Sequence, residues 1–257
     1  MSSAPASSNS FDHARHSLNH AQRRIDELHA EWQAFVEANP YRVVIERDAE
    51  SGDDVHKVVG GSVKPVWLSG VASDALYGIR SALDQVGYGV ACAVGKSGKQ
   101  AHFPFADTRG EAEALAQRGS RQIPKEIFDL MISFQPYKGG DDLLWAMNKL
   151  RNRPHESILT FEPLVVGMAG SYSNPGMTTG LTWPPRWDRS KDEMILVRTA
   201  HGNEPNYDLN IEMLVAFADV DCVRRKPADT VLRAMASKVI GIVGAIEAEA
   251  RRIGIIH

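Results

Sequence analysis

Cysteine is scarce in this chain: Cys92 and Cys222 are the only two in 257 residues. They stand far apart and belong to no spaced motif, which excludes a disulfide framework and a cysteine-based zinc site. A reducing compartment, the cytoplasm, fits that scarcity. No run of about 18 apolar residues occurs, so no helical membrane span is expected. The first ten residues are rich in Ser and Ala and lack the basic start and apolar stretch of a secretory signal. Residues 1–10 read as a disordered tail and 11–257 as a single domain. Neither sign of charge is in surplus. With 29 Lys and Arg against 32 Asp and Glu the net charge is −3. That balance does not indicate nucleic acid, nor an anionic membrane, as a bulk partner.

Several chemistries are missing as motifs. There is no G-x-S-x-G, no Walker loop, no G-x-G-x-x-G and no EF-hand spacing. No cofactor is therefore expected. His13, His16 and His20 do have a helical metal-ligand spacing. The apolar seam of their helix runs through Ala14, Leu18 and Ala21, however, which turns the three rings outward, and a solvated histidine face is the plainer reading. No metal is expected there.

What the chain has in abundance is helical periodicity. Ala72, Leu76, Ile79, Leu83, Val86, Val90 and Ala93 step by four and three, a seam with a mean period of about 3.5. The same stepping joins Ala14, Leu18, Ala21, Ile25, Leu28, Trp32 and Phe35, and again Leu232, Met235, Val239, Ile242, Ile246, Ala250 and Ile253. These seams predict long helices over about 13–38, 70–94 and 228–252. A shorter one over 141–150 is capped by Asp141 or Asp142. Gly241 and Gly244 lie near the last seam and are expected to permit close helix approach. Short helices are expected over 108–119 and 123–134.

Strands are expected elsewhere. A hairpin, 41–46 and 55–59, turns at Ser51-Gly52-Asp53-Asp54. Later runs at 158–168, 178–183, 192–201 and 209–219 follow, the last alternating Ile211, Met213, Val215 and Phe217. Strands that follow helices in a block, with one helix returning, argue for an α+β fold: a helical bundle with a mostly antiparallel sheet. Trp183 and Trp187 sit in the long 169–190 loop and read as pinned to the core.

One charged pair stands out. Arg80 and Asp84 each lie one residue past a seam position and share a helix face. The base precedes the acid, the weaker order for the helix dipole, so surface stabilisation is a poor explanation. Partial burial with partners elsewhere is expected, either as a structural clasp or as a ligand-facing pair. Asn152 and His155, where the chain passes from helices to strands, are the candidates to join Arg80 and Asp84 in a polar ligand-binding site.

The order of landmarks also resembles a set of uncharacterised bacterial and phage proteins. Those share an Arg-Ser-x-Leu-Asp-His helix, a Phe-Pro, a Gln-Pro-Tyr and a Leu-rich helix ending in Asn-x-x-Lys-His. Here they read Arg80-Ser81-Ala82-Leu83-Asp84, Phe103-Pro104, Gln135-Pro136-Tyr137 and Leu150-Arg151-Asn152-Arg153-Pro154-His155. Gln85 replaces the histidine, and Pro154 stands in place of the lysine. The resemblance implies a shared fold unit rather than an activity. Its bundle is loosely similar to HEPN domains, whose ribonuclease signature is Arg-x4–6-His. Arg15 with His20 and Arg24 with His29 match that spacing, although about two matches arise by chance in this composition. Two readings follow. The first is a cytoplasmic protein binding a small ligand or a protein partner. The second is a HEPN-like, metal-independent ribonuclease whose Arg and His converge across a homodimer.

Overall fold

A computed structural model of the chain describes residues 9–38, 41–61, 65–152, 158–171, 178–181, 185–188, 190–202, 206–218 and 220–256. Six helices and antiparallel strands among them make an α+β fold. In chain order these are α1 (Asn9–Glu37), β1 (Tyr41–Arg47), β2 (Asp54–Gly60), α2 (Trp67–Ala93), α3 (Arg109–Arg118), α4 (Lys125–Ser133) and α5 (Asp142–Arg151). Then come β3 (Leu159–Ser171), β4 (Thr178–Leu181), β5 (Glu193–Thr199), β6 (Asn206–Phe217) and α6 (Ala228–Arg252). Contacts divide the chain into two compact units. One comprises Met1–His29, Trp67–Leu159 and Ala216–His257, the other Ala30–Val66 and Thr160–Val215.

The first unit is organised on α2. Leu68, Ala72, Leu76, Ile79, Leu83, Val86 and Val90 are buried, as the seam requires. So are Val71, Ala75, Ala82 and Ala91 beside it. The helix is thus covered over a wide arc, by α5 and α6 among others. Its seam reaches back to Leu68, which is why the helix begins at Trp67 rather than 70. The same holds for α1. Phe11 is buried one step before Ala14, so the helix starts at Asn9 and takes in the last two residues of the expected tail. Residues 1–8 lie outside the described residues.

Close approach of α1 to α2 depends on Gly78. A Cβ there would stand 3.1 Å from both the Ala21 Cβ and the Ser17 carbonyl oxygen. Beside that contact Ser17 Oγ donates to Gln85 Oε1 at 3.0 Å, and Gln85 Nε2 donates to Ser81 Oγ at 3.3 Å. Gln85 therefore links two helices by hydrogen bonds. Gly241 and Gly244 correct an expectation: nothing lies within 4 Å of a Cβ built at either, and both face outward on α6. The apolar stripe of α6 already closes without them, because Leu232, Met235, Val239, Ile242, Ile246 and Ala250 supply the contact.

The second unit holds two sheets where one was expected. Four strands pair in the order β1-β2-β5-β4, and β3 pairs with β6. The hairpin register runs from Tyr41 opposite Gly60 to Arg47 opposite Asp54. The other edge of β2 is taken by β5, antiparallel, with an irregularity between His56 and Lys57. Val58, Met194, Leu196 and Val197 form the buried cluster of this sheet, with Tyr41, Trp187 and Ile211 packed against it. Trp187 is pinned as expected, whereas Trp183 lies outside the described residues. The alternation of β6 ends where Val215, Ala216 and Phe217 are buried in succession.

Candidate functional site

Arg80 and Asp84 occupy one flank of α2 in the first unit. Arg80 Nη1 lies 2.5 Å from Asp84 Oδ2, and the side chains keep only 13% and 35% of their exposure. Neither group is left to the other alone. Arg80 Nε donates to Asn148 Oδ1 of α5 at 3.3 Å, and the guanidinium carbon sits 4.3 Å from the centre of the Phe105 ring. The Phe103 backbone N–H donates to Asp84 Oδ1 at 3.1 Å. His102 Nδ1 stands 3.8 Å from that same oxygen. Nη1 is fully buried and makes no hydrogen bond of good geometry, so its contact with Asp84 is one of charge rather than of alignment. These contacts explain the order of the pair. The arginine is held by a helix amide, a carboxylate and an aromatic face, and the helix dipole contributes little.

The pair thereby fixes the Phe103-Pro104-Phe105 loop on α2. Gly87 makes the seating sterically feasible, since a Cβ at that position would lie 2.4 Å from the Ala101 carbonyl oxygen. From the other side the Ala106 N–H donates to the Pro136 carbonyl at 3.1 Å. The Gln135-Pro136-Tyr137 turn then leads into α5. The Gln135 carbonyl accepts from the N–H groups of Tyr137 and Asp141, each at 2.7 Å. Asp141 caps α5 by accepting from Leu144 N at 3.0 Å, and it pairs with Lys238 of α6. Capping sets the start of α5, and hence where Asn148 meets Arg80.

The loop walls a solvent-open cavity of about 620 Å³. Phe103, Pro104, Phe105 and Phe128 give it apolar surface, while Arg118 and Arg121 give it charge. A second hollow of about 430 Å³ shares Phe105, Leu115 and Arg118 with the first. The arginines sit on a fixed turn. Thr108 caps α3 at its start, and Gly119 ends it at φ 65° and ψ −170°, a backbone region that is essentially glycine's alone. Ser120 Oγ then accepts from the N–H groups of Gln122 and Ile123 at 3.2 and 3.0 Å. Neither Arg118 nor Arg121 has an ion-pair partner among the described residues.

Of the residues expected in the site, Arg80 and Asp84 meet as a pair with further partners. Asn152 is exposed at the C-cap of α5, where its Oδ1 accepts from Arg151. The amide that reaches Arg80 is Asn148, about one turn earlier on the same helix. His155 lies outside the described residues. His102, Arg118 and Arg121 were not anticipated. The signals available for them were the histidine abutting Phe103-Pro104 and two arginines flanking a Gly-Ser turn.

The arginines of the Arg-x4-His spacings are committed elsewhere. Arg15 pairs with Asp12 and Glu247, and Arg24 with Glu27 and Asp74. His29 Nδ1 is 2.9 Å from Asp229. His13, His16 and His20 are exposed along one side of α1, as the seam requires. Comparison with protein-family models, curated proteins and solved structures finds no match for this chain.

Proposed function

We propose that this chain is a cytoplasmic binding protein whose ligand occupies the cavity beside Arg80 and Asp84. One observation carries the reading. A partly buried ion pair on the central helix is spent on holding the loop that walls the cavity, through the Phe103 N–H and the Phe105 ring. A cleft of this volume, with aromatic rings on one side and convergent polar groups on the other, has the size of a small-molecule site. Arg80 and Asp84 serve as positioning residues. They hold the wall, while the ligand meets Phe105, Leu115 and the arginines.

The test is a fragment screen by protein-observed NMR on the wild-type chain and on Leu115→Trp, which fills the cavity. Shifts clustered on the cavity residues and abolished by Leu115→Trp support the reading. Shifts elsewhere, or a response that the filled variant retains, overturn it. Incubation with RNA separates this reading from a HEPN-like ribonuclease. Cleavage lost in both Arg15→Ala and His20→Ala would favour the enzyme, but the carboxylates on Arg15 count against that outcome.

A further inference from the structure

We infer that the cavity selects a small organic anion with a planar apolar body, its charge held by Arg118 and Arg121. This inference rests on the binding-protein reading and adds the class of ligand. The first argument is charge. Two guanidiniums line the cavity and no acidic side chain does so among the described residues, in a chain whose net charge is −3. Elsewhere in this unit Arg15, Arg24, Arg109, Arg233, Arg251 and Arg252 each pair with a carboxylate. Among the described residues Arg118 and Arg121 share the lack of an ion-pair partner with Arg23, Arg151, Arg224 and Arg225, and what marks them is that both line this cavity. Arg118 and Arg121 are three residues apart across a turn that Gly119 and Ser120 hold in place, so both can address one ligand from a fixed base. Planar guanidiniums suit phosphate and carboxylate oxygens, which accept two parallel hydrogen bonds. The C-terminal end of α3 opposes an anion with roughly half a negative charge. Two full positive charges outweigh it.

The second argument is shape. Part of the remaining wall is aromatic, beside Gln100, His102 and Gln122. The rings of Phe103 and Phe105 lie 5.1 Å apart at 52°, and Phe128 lines the same space. Phe105 is partly exposed, and Arg80 against it supports its position. Such a wall favours a flat ring over a flexible chain. Arg118 borders the second hollow too, which Glu111 also lines, so a ligand larger than one ring has room to extend past it with an uncharged part.

The experiment is calorimetric titration with naphthyl phosphate, naphthol, inorganic phosphate and AMP. The proteins are the wild type, Arg118→Ala, Arg121→Ala and Arg118→Lys, with Arg109→Ala as a remote control. Circular dichroism establishes that each variant is folded. Naphthyl phosphate should bind the wild type, weaken about tenfold or more in each alanine variant, and weaken with added salt. Naphthol should bind more weakly and respond to neither arginine. Arg118→Lys should recover part of the loss, and Arg109→Ala should show none. AMP tighter than naphthyl phosphate would support a nucleotide as the ligand, and the reverse a simpler aryl anion. Equal binding of naphthol and naphthyl phosphate, or indifference to both arginines, overturns the anionic class while the small-molecule cavity stands. Inorganic phosphate binding as tightly as naphthyl phosphate overturns the planar body. Silence from all four compounds together with a silent fragment screen overturns both the ligand class and the binding reading.

Discussion

The two units are held together by different physics. In the first, three long apolar stripes, on α1, α2 and α6, are buried, and α2 is covered over much of its circumference. Polar contacts link its helices as well: Arg15 with Glu247, Arg24 with Asp74, Arg233 with Asp26 and Lys238 with Asp141, beside Arg80 on Asn148, Asp84 on Phe103 and Gln85 on Ser17. The second unit is built on two sheets, and among the described residues the four-stranded one has a buried cluster of four, Val58, Met194, Leu196 and Val197. With so small an apolar cluster, its charge pairs weigh more. Lys57 of β2 reaches Glu193 and Glu46 at 2.7 and 2.6 Å, and Arg198 of β5 reaches Asp48 at 2.6 Å. Val43 and Ile45 on the edge strand stay exposed. Burial of apolar area does not titrate, whereas a charge pair weakens when its carboxylate is protonated. The contrast predicts where each unit is vulnerable.

The largest effect should come from the helical seam. Leu83→Ala removes a fully buried side chain and should cost about 3–4 kcal/mol in denaturant unfolding. Leu196→Ala, in the thinner sheet cluster, should cost about 2–3 kcal/mol because that site collapses more readily. A sheet loss equal to or above the helix loss would erase the distinction. Gly87→Ala comes next, at about 2–3 kcal/mol, since the new methyl meets backbone rather than a flexible side chain. It should also displace the cavity loop. Unchanged NMR shifts for Phe103 and Phe105 would show that Gly87 does not seat it.

Asp84→Ala should follow at about 2 kcal/mol, because it strands a buried guanidinium, reduced by the partial exposure of Asp84 itself. A melting temperature equal to wild type would show that the pair holds nothing. Acid should then separate the units by pH. In the second unit the Asp48 carboxyl is held below its ordinary range by the Glu50 backbone N–H and by Arg198, and Asp54 by His201 and the Gly202 N–H. A folded-state value below the unfolded one adds stability that is complete above about pH 4 and lost as pH falls through the folded value. The first unit has such groups too. Lys149 lowers Asp107, while Glu247, pushed up by burial, is brought down overall by Arg15 and Arg251. Its larger apolar core should outlast them. Hydrogen exchange in acid should accelerate first in β1, β2 and β5, and earlier acceleration in α2 would contradict the contrast. The smallest expected effect is a gain. Gly241→Ala and Gly244→Ala, both facing open space on a helix, should each stabilise by roughly 0.5–1 kcal/mol, and a loss at either would reveal a contact with another molecule.

Much of the helical unit was legible in the residues because a seam is a local property. Phe11, Leu68 and the positions between them and the expected seams obey one period, and Asp141 caps where its side chain and spacing say it should. The inward turn of Arg80 and Asp84 was legible for the same reason. The identity of their partner was not: Asn148 and Asn152 lie four apart on one helix, and only the placement of α5 against α2 selects between them. Pairing of β2 with β5 across more than a hundred residues carries no local mark, nor does the division of the strands into two sheets. Arg118 and Arg121 carry no local mark that sets them apart from other exposed arginines; the cavity beside them does.

By itself the sequence determined the α+β class, the helix and strand positions and the inward charged pair. Each depends on neighbours within a turn or two, where periodicity, capping and side-chain volume act. Tertiary structure alone decided which loop that pair holds and that a cationic, aromatic-walled cavity opens next to it. Those outcomes depend on how distant segments pack, and a stripe of apolar residues states that it must be covered without stating by what.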